Sequence, residues 1–207
     1  MCDEDAIIDE LLPESHRILL PCELSEHKAP SEICNRLYCE PESPFYKLIK
    51  RIAEKASGTN AITDTAVIAI TRSSMNNPVG ALAPDKSRGL VGVDIEGMYH
   101  VLIAHWSAVC DIFPDVWGAD PRRSRLMHSA GFTAMGVLMD RIYGSLSGCS
   151  EDYKAARRAL EKVAATCRWT KGTWESLGLA WNEIQNTRCD IRKLQSALLR
   201  AYTYAMN

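Results

Sequence analysis

The sequence has no apolar run approaching the roughly 20 residues that a membrane-spanning helix needs, so no membrane partner is expected. Its first stretch, Met1–Leu12, is acidic and carries no charged-then-apolar signal segment, and the expected location is cytoplasmic. There is no GxSxG, no P-loop and no GxGxxG placed between a strand and a helix. No CxxC pair occurs among the eight cysteines, although zinc sites usually carry such pairs. No cofactor or metal is therefore expected, and an enzymatic role has no residue set to carry it. Charge of one sign is also missing: the formal net charge is −2 and the isoelectric point is near 6.2. Any attraction to nucleic acid has to come from a local basic patch. Internal repeats and low-complexity segments are absent, and 207 residues suit one domain or one domain with a small appendage.

What is present is helical periodicity. From Val93 to Leu146 the chain reads as two long helices joined by the turn PDVWGAD. In the first, Met98, Val101, Leu102, Trp106, Val109, Cys110 and Phe113 recur at offsets of three and four, and Pro114 stops it. The second is read as starting with Asp120 at the N-cap and Pro121 at the first helical position. Its residues Met127, Gly131, Phe132, Met135, Leu138, Met139 and Ile142 leave little polar surface, so neighbours are expected on several sides. The fold class that follows is mainly α, a helical domain built around a central antiparallel helix pair. Trp106 and Phe132 are expected in its interior.

The remaining segments are read in the same way. Asp5–Leu12 looks like a short acidic helix, and Ser31–Cys39 suggests another with Ser31 as its cap. SPFYKLIKRIAEKASG, from Ser43, is read as a helix stopped at Gly58, with a strand over Phe45–Ile52 as the alternative. Thr63 as a cap tips the β-branched Ile62–Thr71 toward helix. Asn76–Gly92 is a loop by its prolines and glycines, and it carries Lys86 and Arg88. Ser150 caps an amphipathic helix built on Tyr153, Ala156, Leu160 and Val163. Leu177 and Ile184 stand at helical offsets from Trp174, and Trp106, Trp174 and Trp181 are expected to pack in the core. Thr187 and Asp190 make a capping signature for a last helix along Ile191, Leu194, Leu198, Leu199 and Tyr202. Residues 1–42 are read as an N-terminal helical or irregular segment and 43–207 as the helical domain, the two expected to form one structural unit.

Few polar constellations carry chemistry. His100 and His105 are five apart, about 140° from each other on a helix, so they cannot share a metal-binding face. Glu96 and His100, four apart, are placed to pair on a helix surface. Cys110 and Cys167 fall in helical patterns, where a free thiol behaves as a small buried apolar group. The basic cluster Arg122, Arg123 and Arg125 is the most informative polar feature. Placed at a helix start, where positive potential already exists, it calls for something negative nearby. That is either internal, from Asp111, Asp115 and Asp120, or an external anion such as phosphate.

Four segments together resemble the C-terminal part of DGQHR-domain proteins, the group that includes DndB-like regulators of DNA phosphorothioation clusters. They are SPFYKLI (Ser43–Ile49), IFPDVWG (Ile112–Gly118), RLMHSAGFTAM (Arg125–Met135) and W-x2-I-x-NT (Trp181–Thr187), in that order before a last helix that reaches Tyr202. No DGQHR motif occurs in this sequence, so no catalytic residue is carried over. The resemblance implies a setting of bacterial DNA modification, its transcriptional control, or phage defence. The expected function is a non-enzymatic DNA-associated or regulatory module. Arg122, Arg123, Arg125, Lys86 and Arg88 are its candidate phosphate contacts. The alternative is a helical interaction scaffold that docks a separately encoded, DGQHR-bearing partner.

Overall fold

The structure, a computed structural model, describes residues 22–51, 62–84, 93–144 and 152–206. These residues carry six helices: α1 (Cys22–Cys39), α2 (Asp64–Asn76), α3 (Ile95–Ile112), α4 (Ser129–Tyr143), α5 (Asp152–Ala164) and α6 (Arg188–Met206). Two small pairings join them. Strands β1 (Ile49–Lys50) and β2 (Ile62–Thr63) pair in parallel, and β3 (Thr173–Trp174) and β4 (Leu179–Ala180) form an antiparallel hairpin. The fold is mainly α.

Local chemistry explains most boundaries. Thr63 ends β2 and caps α2, its Oγ1 accepting from the Ala66 N–H at 3.2 Å. Asp94 does the same for α3, its carboxylate accepting from the Gly97 N–H at 2.8 Å. Thr187 Oγ1 accepts from the Asp190 N–H at 3.1 Å, and the Asp190 carboxylate accepts from the Gln185 N–H at 3.1 Å, which ties the preceding loop to the first turn of α6. The readings for α2, α3 and α6 hold. Asp5–Leu12, Gly58, Lys86, Arg88 and the Ser150 cap lie outside the described residues.

Four readings are corrected. Helix α1 starts well before Ser31, at Cys22, and runs through Pro30. Its residues Ala29, Ile33 and Leu37 sit in the same core as the other described residues. The segment from Ser43 does not form a helix over its described part. Its single turn ends at Lys47, whose φ of 55° is left-handed and whose N–H donates to Tyr38 O at 3.1 Å, and Ile49 then enters β1. The second central helix begins at Ser129 rather than at Pro121. Asp120 caps only a turn, with Arg123 and Ser124 N–H donating to its carbonyl. The Arg125 N–H then leaves the helical register and donates to Trp169 O at 2.8 Å. His128 restarts the chain as the N-cap of α4, its Nδ1 accepting from the Ala130 N–H at 3.4 Å. Gly131 is required there, because a Cβ at that position collides with the Arg125 carbonyl. Finally, Trp174 and Leu177 belong to the β3–β4 hairpin, where Gly178 adopts φ of 65° and Trp174 O accepts from Leu177 and Gly178.

Helix α4 is buried almost all round, from Ala130 to Tyr143, in keeping with its composition. Its longest packed neighbour is α6, while α3 lies chiefly along α5, and α2 also rests on α4. Helices α3 and α4, expected as a packed pair, each lie chiefly along another helix and meet through the rings of Trp106 and Phe132. Both are fully buried, and their rings stack with centroids 4.4 Å apart. Phe45 stands edge-on to both at 5.5 and 5.9 Å, and Trp117 closes the cluster while its Nε1 donates to Pro44 O at 3.1 Å. A second aromatic group, Phe113, Trp169 and Trp174, sits between the end of α3 and the hairpin.

A polar clasp locks the loop after α2 onto α4. Asp140 accepts from the Ser74 hydroxyl, from the Ala81 N–H at 3.0 Å and from Asn77 Nδ2 at 3.4 Å, and Ser74 Oγ accepts from the Leu82 N–H at 3.1 Å. Removing the carboxylate strands those donors, so Asp140→Ala is expected to lower stability by about 2 kcal/mol in urea denaturation. A loss under about 0.5 kcal/mol, the ordinary range of surface substitutions, counts against the clasp.

Candidate functional site

The loop after α3 and the loop after α5 meet at a surface concavity of about 530 Å³. Arg122, Arg123, Asp115 and Asp120 enter it from the first loop, Thr170 from the second, and Trp181 from the segment just after β4. Arg122 and Arg123 are exposed, and Trp181 is half-buried. The Asp120 carboxylate is engaged by its own turn, accepting from the Arg122 N–H at 2.7 Å. Asp111, the other expected neutraliser, is turned toward α5, where Tyr153 donates to it and Arg157 lies 3.8 Å away. Among the described residues neither Arg122 nor Arg123 has a carboxylate at ion-pair distance. Asp115 and Asp120 share their concavity without closing on them.

Because α4 starts at Ser129, Arg122 and Arg123 are not at a helix N-terminus, and the macrodipole does not act on them. Arg125 is separated from the other two. Its Nη2 donates to Asn182 O at 2.7 Å while its backbone N–H holds Trp169 O, so it bolts the two loops together beneath the concavity. Partial burial lowers its pKa, and its charge in turn helps hold His128 below the ordinary histidine range, after burial itself. His128 therefore stays neutral and able to accept as a cap.

Sequence reasoning thus placed Arg122 and Arg123 together and grouped Arg125 with them. It expected Trp181 in the core, whereas the side chain is half-buried at the concavity, and it did not associate Thr170 with the cluster. The only hint was that Trp181 precedes a polar stretch, NEIQNT, rather than another apolar helical turn. Trp169, flanked by Arg168 and Lys171, is buried and packs against Phe113 and Trp174.

The other chemical groups do different work. His100 pairs with Glu96 at 3.0 Å on the surface of α3, as its spacing implied. Glu96 and Glu40 both receive Arg36 of α1, whose guanidinium hydrogen bonds hold both carboxyls below their usual range and whose plane lies 3.9 Å over the Tyr99 ring. Among the described residues no three His, Cys, Asp or Glu side chains converge as a metal site would require. The described cysteines Cys34, Cys39, Cys110, Cys167 and Cys189 are free, and burial pushes the Cys34 thiol up to about 11. No helix among the described residues is long and apolar enough to cross a membrane. The chain matches no protein-family model, no curated protein and no solved structure.

Proposed function

We propose that this chain is a non-enzymatic, DNA-associated or regulatory module, acting in a bacterial DNA-modification or phage-defence setting. The setting rests on the resemblance to DGQHR-domain proteins; the contact rests on the concavity. The observation that carries it is a pair of exposed guanidiniums, without ion-pair partners among the described residues, beside a half-buried indole. Arginine forks suit phosphate oxygens, and an indole face adds sequence-tolerant stacking on an unpaired base. Two carboxylates line the same concavity, so the local charge is close to balanced. The contact therefore reaches one or two phosphates and is weak at physiological salt.

Fluorescence anisotropy on a labelled duplex at two salt concentrations tests this. Binding at low salt is expected to weaken about tenfold in an Arg122→Ala/Arg123→Ala double variant. The log–log salt slope should shrink by about 2, since each phosphate contact contributes about 0.9. No binding at low salt, or affinity unchanged in the double variant, removes the assignment. The second reading, a scaffold for a DGQHR-bearing partner, is favoured by Tyr204 and Met206, which stand 88% and 52% exposed at the end of α6.

A further inference from the structure

A groove lies between the C-terminal end of α4, one side of α5 and the end of α6; it shares no lining residue with the concavity at Arg122 and Arg123, and its Met206 is the residue named above for the scaffold reading. It encloses about 760 Å³, within the range of small-molecule sites. Its floor is apolar, from Ile142 on α4, Ala155 and Ala159 on α5, and Tyr202 and Met206 on α6. Its rim is cationic: Arg141 from α4, with Arg158 and Lys162 from α5. The carboxylate at the rim among the described residues, Glu161, is held by Arg157 at 3.0 Å. Arg141 and Arg158 have no ion pair among the described residues. Lys162 is steadied by Ala205 O at 3.2 Å and lies against the Met206 sulfur.

We propose that this groove binds a small amphipathic anion, an aliphatic chain ending in a carboxylate or phosphate. Charge fixes the sign of the head group: among the described residues three cations line the groove, and the acid beside them is paired with Arg157. Size sets the scale: about 760 Å³ suits a small molecule. A chain of about ten carbons fits, with its methylenes over Ala155, Ala159 and Tyr202. Its head then lies between Arg141 and Arg158.

Titration of the full chain with decanoate, followed by amide chemical shifts and calorimetry, tests the proposal. Decanoate should shift the amides of Arg141, Ala155 and Thr203 and leave those of Arg122 and Trp181 in place. An Arg141→Ala/Arg158→Ala double variant should bind at least tenfold more weakly. Ala155→Trp, which fills the floor without touching a charge, should abolish binding. Decyltrimethylammonium, equal in chain and opposite in charge, should not bind. Equal binding of the cationic chain, unchanged affinity in both variants, shifts centred elsewhere, or no decanoate binding overturns the assignment. Co-sedimentation with phosphatidylglycerol vesicles separates the sources of the anion. Sedimentation that the double variant loses identifies a lipid headgroup; decanoate binding without sedimentation identifies a free acid.

Discussion

Trp106→Ala is expected to lower the unfolding free energy by about 4 kcal/mol, the middle of the range for removing a large buried aromatic. The indole is fully buried and touches the rings of Phe132, Phe45, Trp117 and His105. Its loss leaves a cavity walled by rigid rings that cannot collapse into it, so the cavity contribution adds to the lost transfer energy. Domains of this size are stable by about 5–15 kcal/mol, so the variant sits near the edge of folding at physiological temperature. Trp106→Phe keeps the stack on Phe132. Because the indole Nε1 has no hydrogen-bond partner among the described residues, the phenyl variant strands no donor and should lose less than half as much. Urea denaturation of the two variants decides the matter. A loss below about 1.5 kcal/mol for Trp106→Ala would falsify the assignment of this cluster as the centre of the core.

The second large effect is expected on acidification. His105 is fully buried beside Trp106 and Tyr143, with neither ring nitrogen in a hydrogen bond of good geometry among the described residues. Burial lowers its pKa from 6.5 to about 3, and the Met135 backbone, which favours the protonated ring, offsets only part of this. The folded state thus binds fewer protons than the unfolded chain between these two values. Stability from this group is complete above pH 6.5 and is lost as pH falls toward about 3. Each pH unit in that window removes about 1.4 kcal/mol, or about 3 kcal/mol between pH 6.5 and 4. His128, also lowered, acts with the same sign. Glu40 and Glu96 are lowered carboxyls, and their contribution is lost only as pH falls through their own depressed values. The upper part of the window therefore isolates the imidazoles. His105→Leu should remove the larger share of the slope between pH 6.5 and 5 while folding normally at pH 7. A parallel slope in wild type and variant excludes His105 as its source.

The helices that sequence reading located correctly are those whose ends are decided within a few residues. Thr63, Asp94 and Thr187 each satisfy the N–H three positions on, and that chemistry is visible in one dimension. The misplaced boundaries were decided at a distance. The Arg125 N–H is taken by Trp169 O, a residue from beyond α5, and no local rule signals that the helix must wait until Ser129. Lys47 spends its backbone N–H on Tyr38 in a conformation that lysine rarely adopts, which breaks an otherwise good helical pattern. The hairpin at Trp174 was marked by Gly172 and Gly178, but its tryptophans also fit helical spacing. The candidate site divides in the same way. Arg122 and Arg123 were legible as adjacent charge; Thr170 and Trp181 come from separate segments and meet them only in three dimensions.

The pairing of α3 with α5 and of α4 with α6 has a consequence for how the chain reaches its native state. Each partner is separated from its mate by another helix, so the order in space is interleaved relative to the order in synthesis. Such an arrangement has high contact order for a helical protein, and folding should be slower than in a bundle of adjacent hairpins. A nascent chain that has emerged only through Tyr143 holds two strongly apolar helices with neither principal partner made. Until α6 leaves the ribosome the interior cannot close, and the exposed faces of α3 and α4 are substrates for chaperones rather than for folding.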